Sequence, residues 1–246
     1  MTTALEASAA PQPLCPQHPG RAAVGTCERC GRYVCSSCMR SGGICPECVQ
    51  QNLAAVPSSA PRSKRAVAFL ALSGGVAALE LLINIWAVQS PDAHETRELI
   101  EGLVGVVSLV ALVCTPIFYL MWLHRAVRQL HAVGKDVGVT PGWAVGYWFV
   151  PFINLVKPYR ILQSIAEKLG VESLPLGAWW ASLLLARALS RIETRMALRN
   201  GFEGATPIEA YMVGIGSSIC TIAGAILCIR IVRELQQRLD DSRMDL

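Results

Sequence analysis

The chain has 246 residues, of which 52% are apolar and 16% are charged, and its mean hydropathy is +0.40. A soluble domain of this composition would have too little polar surface to cover itself, so the composition predicts an integral membrane protein. The formal net charge is only +4, and the basic residues lie beside apolar runs rather than in one block, which argues against a nucleic-acid-binding protein.

The N-terminal segment, residues 1–14, has neither the basic nor the apolar region of a secretory signal peptide, and we predict a disordered leader. Residues 15–48 form a cysteine-rich unit that contains four ligand pairs, each with two residues between its members. This spacing predicts two closed tetrahedral zinc sites with a structural role. The eight predicted ligands are Cys15, His18, Cys27, Cys30, Cys35, Cys38, Cys45 and Cys48.

The spacing leaves open which pairs share a zinc ion. Consecutive pairing and interleaved pairing both give one site with three cysteines and a histidine and one site with four cysteines. A unit this small buries little apolar surface, so metal binding is expected to supply most of its folding free energy. The sites need reduced thiolates, which indicates a reducing compartment.

Residues 49–65 have the proline and serine content of a linker, and a polytopic membrane domain is predicted over residues 66–238, followed by a cytosolic tail, residues 239–246. A helix needs about 20 apolar residues to cross the hydrocarbon core. Four runs are predicted to do so, at about residues 66–88, 99–123, 174–189 and 207–229. The predicted fold class is therefore an all-α transmembrane helical bundle with a small N-terminal double-zinc module.

Other segments of the membrane part have their own patterns. Residues 141–156 are apolar but too short for a span and contain Pro151, so we predict a re-entrant or interfacial segment. Residues 124–137 have an amphipathic helical period and are expected to lie along the membrane surface. In the last predicted span, Gly216, Cys220 and Gly224 place small side chains on one face, where another helix can approach closely.

Three of the polar residues within the predicted spans are candidate intramembrane functional residues: Glu80, Asn84 and Arg187. An ionisable side chain at the bilayer centre costs about 2.5 to 3.5 kcal/mol on insertion scales, so such residues are expected to face other helices or a cavity. Glu80 and Asn84 are one helical turn apart, and Arg187 is the candidate partner of Glu80 in a structural clasp. Snorkelling of Arg187, protonated burial, and a transport or proton-relay role are the alternatives.

The distribution of lysine and arginine predicts the orientation. With four spans, 13 basic residues lie on the side of the N terminus and 5 on the other side, whereas a fifth span across residues 141–156 would give 10 against 8. Because the more basic side is the cytosolic one, both termini and the zinc unit are expected in the cytosol.

The sequence CPQHPGRAAVGTCERCGRYVCSSCM, which begins at Cys15, resembles the B-box-type zinc finger that is often fused to polytopic bacterial membrane proteins. This chain departs from the usual B-box at its last ligand pair, where that family mostly has histidines. The resemblance implies a cross-brace arrangement with two interleaved zinc sites. One ion would be bound by Cys15, His18, Cys35 and Cys38, and the other by Cys27, Cys30, Cys45 and Cys48.

The membrane part, from about Val67 to Arg238, resembles the bacterial domain-of-unknown-function family 4328. The similar elements are WLHRAVRQL at residues 122–130, PGWAVGYWFVPFINLVKPYR at residues 141–160, and the Trp179–Trp180 pair. That family has no established activity, so the resemblance implies membrane architecture and leaves the function open.

The sequence contains no catalytic constellation. It has no phosphate-binding glycine loop, and no histidine follows His131 to activate the serines at residues 217 and 218. We therefore expect a protein that is not an enzyme, namely a scaffold at the cytosolic face of a bacterial inner membrane. Its expected contacts are membrane lipids and a cytosolic protein or a second copy, without nucleic acid. The alternative is a small transporter or channel-like protein regulated by its zinc module.

Overall fold

The computed structural model describes residues 12–39, 42–90, 94–199 and 208–244. The chain divides into two compact units, one formed by Met1–Pro57 with Gln129–Asp136 and the other by Ser58–Arg128 with Val137–Asp245. Of the predicted leader, residues 1–11 lie outside the described part, and the first strand begins at Leu14.

The first unit contains two small antiparallel sheets and one helix. Its strands are short because turns that carry the ligand pairs interrupt them. Around the ligand pairs there is almost no apolar core besides the cysteines, since Val34 is the one other described residue buried in that cluster. The elements are β1 (Leu14–Cys15), β2 (His18–Ala22), β3 (Gly25–Thr26), β4 (Tyr33–Val34) and α1 (Pro46–Ala55), with β1 paired to β2 and β3 to β4.

Helix α1 has a small apolar cluster of its own. Val49 and Leu53 are buried there together with Ala132 and Val133, which belong to the same unit. Most of the segment predicted as a linker, residues 49–65, is therefore helical, because α1 continues to Ala55 and the next helix begins at Ala60. The apolar residues near position 132, predicted to lie on the membrane surface, contact this protein helix instead.

The second unit is almost entirely helical. Three of its helices are long and apolar enough to cross a membrane within the described part of the chain, over Ala60–Gln89, Leu99–Ala132 and Ile208–Arg243. Its helices are α2 (Ala60–Gln89), α3 (His94–Ala132, which extends into the first unit), α4 (Pro141–Gly146), α5 (Lys157–Leu169), α6 (Leu176–Arg199) and α7 (Ile208–Met244).

Helix α6 contains the third span that the sequence predicted, but it is not among the three candidate spans found in the described residues. Its 24 residues would reach about 36 Å, but its first 18 residues already include Arg187, Arg191 and Glu193. These charges keep α6 out of the set of three candidate spans. Four spans are therefore not confirmed.

The boundaries of α7 also differ from the prediction. The helix continues to Met244, through most of the segment predicted as a tail, whereas the predicted span ended at residue 229. The extension is stabilised because its apolar side chains, among them Ile231, Val232 and Leu235, are fully or almost fully buried. Helix α5, which the sequence analysis did not identify, packs against α7 and buries Leu162.

Helix α7 packs along both α2 and α6. The small-residue stripe does what its spacing predicted: an added Cβ on Gly216 would contact Leu189 of α6 at 3.4 Å, and one on Gly224 would contact Ser182 at 3.1 Å. On the side of α7 that faces α2, a Cβ added to Gly74 of α2 would lie 3.2 Å from the Cβ of Ala225. The close helix approach predicted at this stripe is confirmed.

Residues 141–156 do not form one helix. The structure has the six-residue α4, a turn, and a single 3-10 turn over Ile153–Leu155. Each piece is far shorter than a membrane span. The turn positions Trp148, whose ring lies edge-on to the rings of Tyr119 and Trp180 at centroid distances of 5.5 and 6.0 Å.

Candidate metal centres and membrane cavity

The first ligand cluster forms where β1 turns into β2 and where the chain leaves β4. Cys15 is the last residue of β1 and pairs with His18, the first residue of β2. Cys35 and Cys38 lie in the tight turn after β4, where the backbone N–H of Cys38 donates to the carbonyl of Cys35. Strand β4 contacts β1, which brings the two pairs together.

The second cluster joins the β3–β4 turn to the start of α1. Cys27 and Cys30 flank that turn, and the N–H of Gly31 closes it by donating to the carbonyl of Cys27. Gly31 has a φ of +70°, a backbone conformation that residues with a Cβ rarely adopt. Cys45 caps α1 and Cys48 lies in its first turn, and the N–H of Cys45 donates to the sulfur of Cys27 at 3.3 Å.

The structure groups the ligands in the interleaved order. In each group the four ligand atoms lie within 4.8 Å of one another. The two groups are Cys15, His18, Cys35 and Cys38, and Cys27, Cys30, Cys45 and Cys48. The spacing had left both pairings open, and the resemblance to the B-box implied this one.

The distances between ligand atoms fit a tetrahedral metal ion. At a zinc–sulfur distance of about 2.3 Å, two sulfurs at tetrahedral corners lie about 3.8 Å apart. The Cys15–Cys38 and Cys30–Cys45 sulfur pairs are both separated by 3.8 Å. The Nδ1 atom of His18 lies 3.2 to 4.0 Å from the sulfurs of its group. Each cluster is therefore the size of a four-ligand metal site.

The pKa values of the cysteine thiols differ widely within these clusters. Burial raises the pKa of Cys15, but donation from the backbone of Cys35 and from His18 outweighs it and lowers that pKa to about 6. In the same cluster, burial and then the neighbouring Cys35 and Cys15 raise the pKa of Cys38 to about 11. In the other cluster, burial and then Cys45 raise the pKa of Cys48 to about 12.

This divergence has a simple cause. Three or four thiols that share one small space cannot all lose their protons unless a cation neutralises them. Three cysteines with an imidazole, or four cysteines, are donor sets that suit a closed, structural metal site, and both clusters could hold a metal ion. With four protein ligands in each group, neither has a position left for a substrate.

The second unit contains a separate feature, a cavity of about 1010 Å³ among its helices. All three polar residues singled out in the sequence, Glu80, Asn84 and Arg187, line this cavity. Glu80 accepts a hydrogen bond from Ser108 of α3. Within the described residues, Glu80 and Arg187 form no ion pair, so the predicted clasp between these two side chains is not present.

Sequence reasoning missed several cavity residues. Glu193 lies between Arg191 and Arg195 in α6, and the sequence gives no signal that its side chain faces inward. It approaches α7 because Gly214 has no side chain: a Cβ there would lie 2.6 Å from Glu193 Oε1 and 2.8 Å from Asn84 Nδ2. Tyr119 and Trp148 line the cavity as well, although Trp148 was interpreted as an interfacial aromatic.

These findings define a mostly helical membrane protein with two candidate metal sites in a small N-terminal unit. The chain belongs to the family described as "Domain of unknown function (DUF4328)", whose sequence profile matches residues 86–237. The match confirms the resemblance of the membrane part and does not include the metal-binding unit. No curated protein and no solved structure matches the chain.

Proposed function

We propose that this protein is a membrane-anchored scaffold whose zinc-binding unit recruits a protein partner, or a second copy of the chain, at the cytosolic face of a bacterial inner membrane. The proposal takes both metal ions to be zinc, since thiolate and imidazole donors in closed groups of four suit that ion. Such ions stabilise the fold of the unit and have no open position for chemistry, which favours a binding role over an enzymatic one.

The observation that carries the proposal is the apolar surface of this small unit. Leu14, Val24 and Tyr33 have exposed fractions of 56%, 63% and 49%, although among the described residues the cluster around the ligands buries only Val34 besides its cysteines. The backbone N–H of Val24 donates to the carbonyl of Val34, so the strands hold these positions in place. Exposed apolar and aromatic side chains on a rigid frame are typical of protein contact sites.

The proposed topology has α6 as a fourth span, with both termini in the cytosol. Two observations support it. Helix α6 is long enough to cross the hydrocarbon core, and it packs closely against the apolar part of α7 through Ser182 and Leu189. The excess of basic residues on the side of the termini and the need of the cysteines for a reducing compartment support the cytosolic orientation.

The test separates recruitment from folding of the metal unit. Val24→Asp with Tyr33→Asp adds charge to the apolar surface without touching a ligand, and Gln51→Glu, at an exposed site of α1, is the matched control. In an in-membrane crosslinking pull-down, we expect the double variant to lose its crosslinked partner or dimer while its zinc content stays unchanged. Equal crosslinking of the double variant and the control would contradict the scaffold role.

A second candidate is a small transporter or channel-like protein. The observation in its favour is that Glu80, Asn84 and Arg187 line a single cavity between helices, the usual location of polar residues with a transport role. Glu80→Gln in reconstituted vesicles tests it. Loss of solute or ion flux in a folded protein would support the transporter, and the absence of any flux in the unmodified protein would exclude it.

A further inference from the structure

The cavity of the second unit holds two carboxylates that have no cationic partner. Glu80 and Glu193 are both half-buried, and both line the cavity. Within the described residues, no arginine or lysine lies within ion-pair distance of either one. Arg187 and Arg191 also border the cavity, but they are exposed. Carboxylates held in a region of low dielectric constant favour a positively charged ligand.

Two further polar side chains in the same cavity have no partner although they are almost completely buried. Tyr119 is 5% exposed, and its hydroxyl makes no hydrogen bond within the part of the chain that the structure describes. Asn84 is 9% exposed, and its amide makes none with any described residue. A buried amide or hydroxyl without a partner destabilises the folded protein, so their presence in the wall is explained by a ligand with polar groups.

The cavity is long, and its middle is apolar. Its lining residues on α7 run from Ala210 to Cys228, which corresponds to about 27 Å of helix. Glu193 and Asn84 are close to the first end, beside Gly214. Tyr119 is at the other end, and the wall between them includes Leu70, Ile83, Leu112, Leu183 and Ala225.

We propose that this cavity binds an elongated amphipathic organic cation, with its ammonium group between Glu80 and Glu193 and its apolar chain directed toward Tyr119. The inference deepens the transporter candidate, but it concerns binding alone. The unpartnered hydroxyl of Tyr119 and the unpartnered indole N–H of Trp148 are available to a polar atom at the far end of the chain.

The experiment uses the full chain in lipid nanodiscs, with empty nanodiscs subtracted. Radiolabelled dodecyltrimethylammonium is the probe, and dodecanol, which has the same chain without the charge, is the competitor. We expect saturable binding of one probe per chain and no competition by dodecanol. Glu80→Gln and Glu193→Gln should each weaken binding about tenfold, since each removes one charge interaction. Glu172→Gln removes a charge outside the cavity and should leave binding unchanged.

A third variant changes the shape of the site without changing its charge. Gly214→Ala inserts a methyl group where Glu193 and Asn84 now lie, so we expect weaker binding, whereas Gly177→Ala, with nothing within 4 Å, should have no effect. Monodisperse elution of each variant checks its fold. Non-saturable binding, or competition by dodecanol as strong as by unlabelled probe, would overturn the proposal and indicate that lipid fills the cavity. Binding without flux would leave this site standing and exclude the transporter.

Discussion

Gln236 is the residue whose replacement should most clearly disturb the packing of the second unit. Its Oε1 atom accepts hydrogen bonds from Trp122 Nε1 of α3 at 3.0 Å and from Ser59 Oγ, next to the start of α2, at 2.8 Å. Trp122 and Ser59 are both 0% exposed, and Gln236 is 6% exposed. The side-chain amide of Gln236 on α7 is therefore hydrogen-bonded, away from water, both to α3 and to the residue before α2.

The change Gln236→Met keeps the length of the side chain and removes the acceptor. The indole N–H of Trp122 then has no partner, which costs about 1 to 3 kcal/mol, and the lost bond to Ser59 adds about 1 kcal/mol. We expect a destabilisation of about 2 to 4 kcal/mol in SDS titrations of the protein in mixed micelles. Gln237→Met, at the exposed neighbouring position, should stay within about 0.5 kcal/mol of the unmodified protein.

A double-mutant cycle identifies the cause. Trp122→Phe removes the N–H, so it should cost about 1 to 3 kcal/mol less in the Gln236→Met background than in the unmodified protein. Equal costs in the two backgrounds would show that the hydrogen bond contributes nothing, and the reasoning from buried polar groups would be refuted at this site.

Three further predictions concern the metal unit and the topology. Elemental analysis should find two zinc ions per chain. Because Cys15 and Cys35 belong to one group, the double variant Cys15→Ser with Cys35→Ser should keep one ion, whereas Cys15→Ser with Cys27→Ser should lose both. Consecutive pairing predicts the reverse. Gly31→Ala should weaken zinc binding about tenfold in chelator competition because of its positive φ, whereas Gly20→Ala, in open space, should not. A reporter fused after Leu246 should be active in the cytosol if α6 spans, and outside it if only three helices do.

The parts of the fold that the sequence predicted depend on local patterns. Ligand pairs at fixed spacing predict tight turns around a metal ion, and long apolar runs predict long helices, because both depend on residues close together in the chain. The small-residue stripe at Gly216 and Gly224 is of the same kind: its period places the residues on one face, and α6 packs there.

The parts that the sequence did not predict depend on distant residues. The end of α3 was expected on the membrane surface, but Ala132 and Val133 are buried against α1. The residues that form α1 lie far earlier in the chain, so no local pattern indicates this contact. Arg187 was the candidate partner of Glu80 because both residues are charged and lie in predicted spans. Glu80 instead accepts from Ser108, a neutral residue that no charge pattern would single out.

Asn84 allows one more argument about why polar residues persist inside this helical unit. Its amide is buried and makes no hydrogen bond with any described residue, so it destabilises the folded protein by about 1 to 3 kcal/mol relative to an apolar side chain of similar size. Asn84→Leu should therefore stabilise the protein by about that amount in the same SDS titrations, and it should also weaken binding of dodecyltrimethylammonium, because the cavity loses a polar group beside Glu193. Residues that serve binding at the expense of stability show this combination of effects. If Asn84→Leu instead lowers stability, then the amide has a structural role in the helix packing, and the unpartnered polar groups of the cavity no longer argue for a ligand.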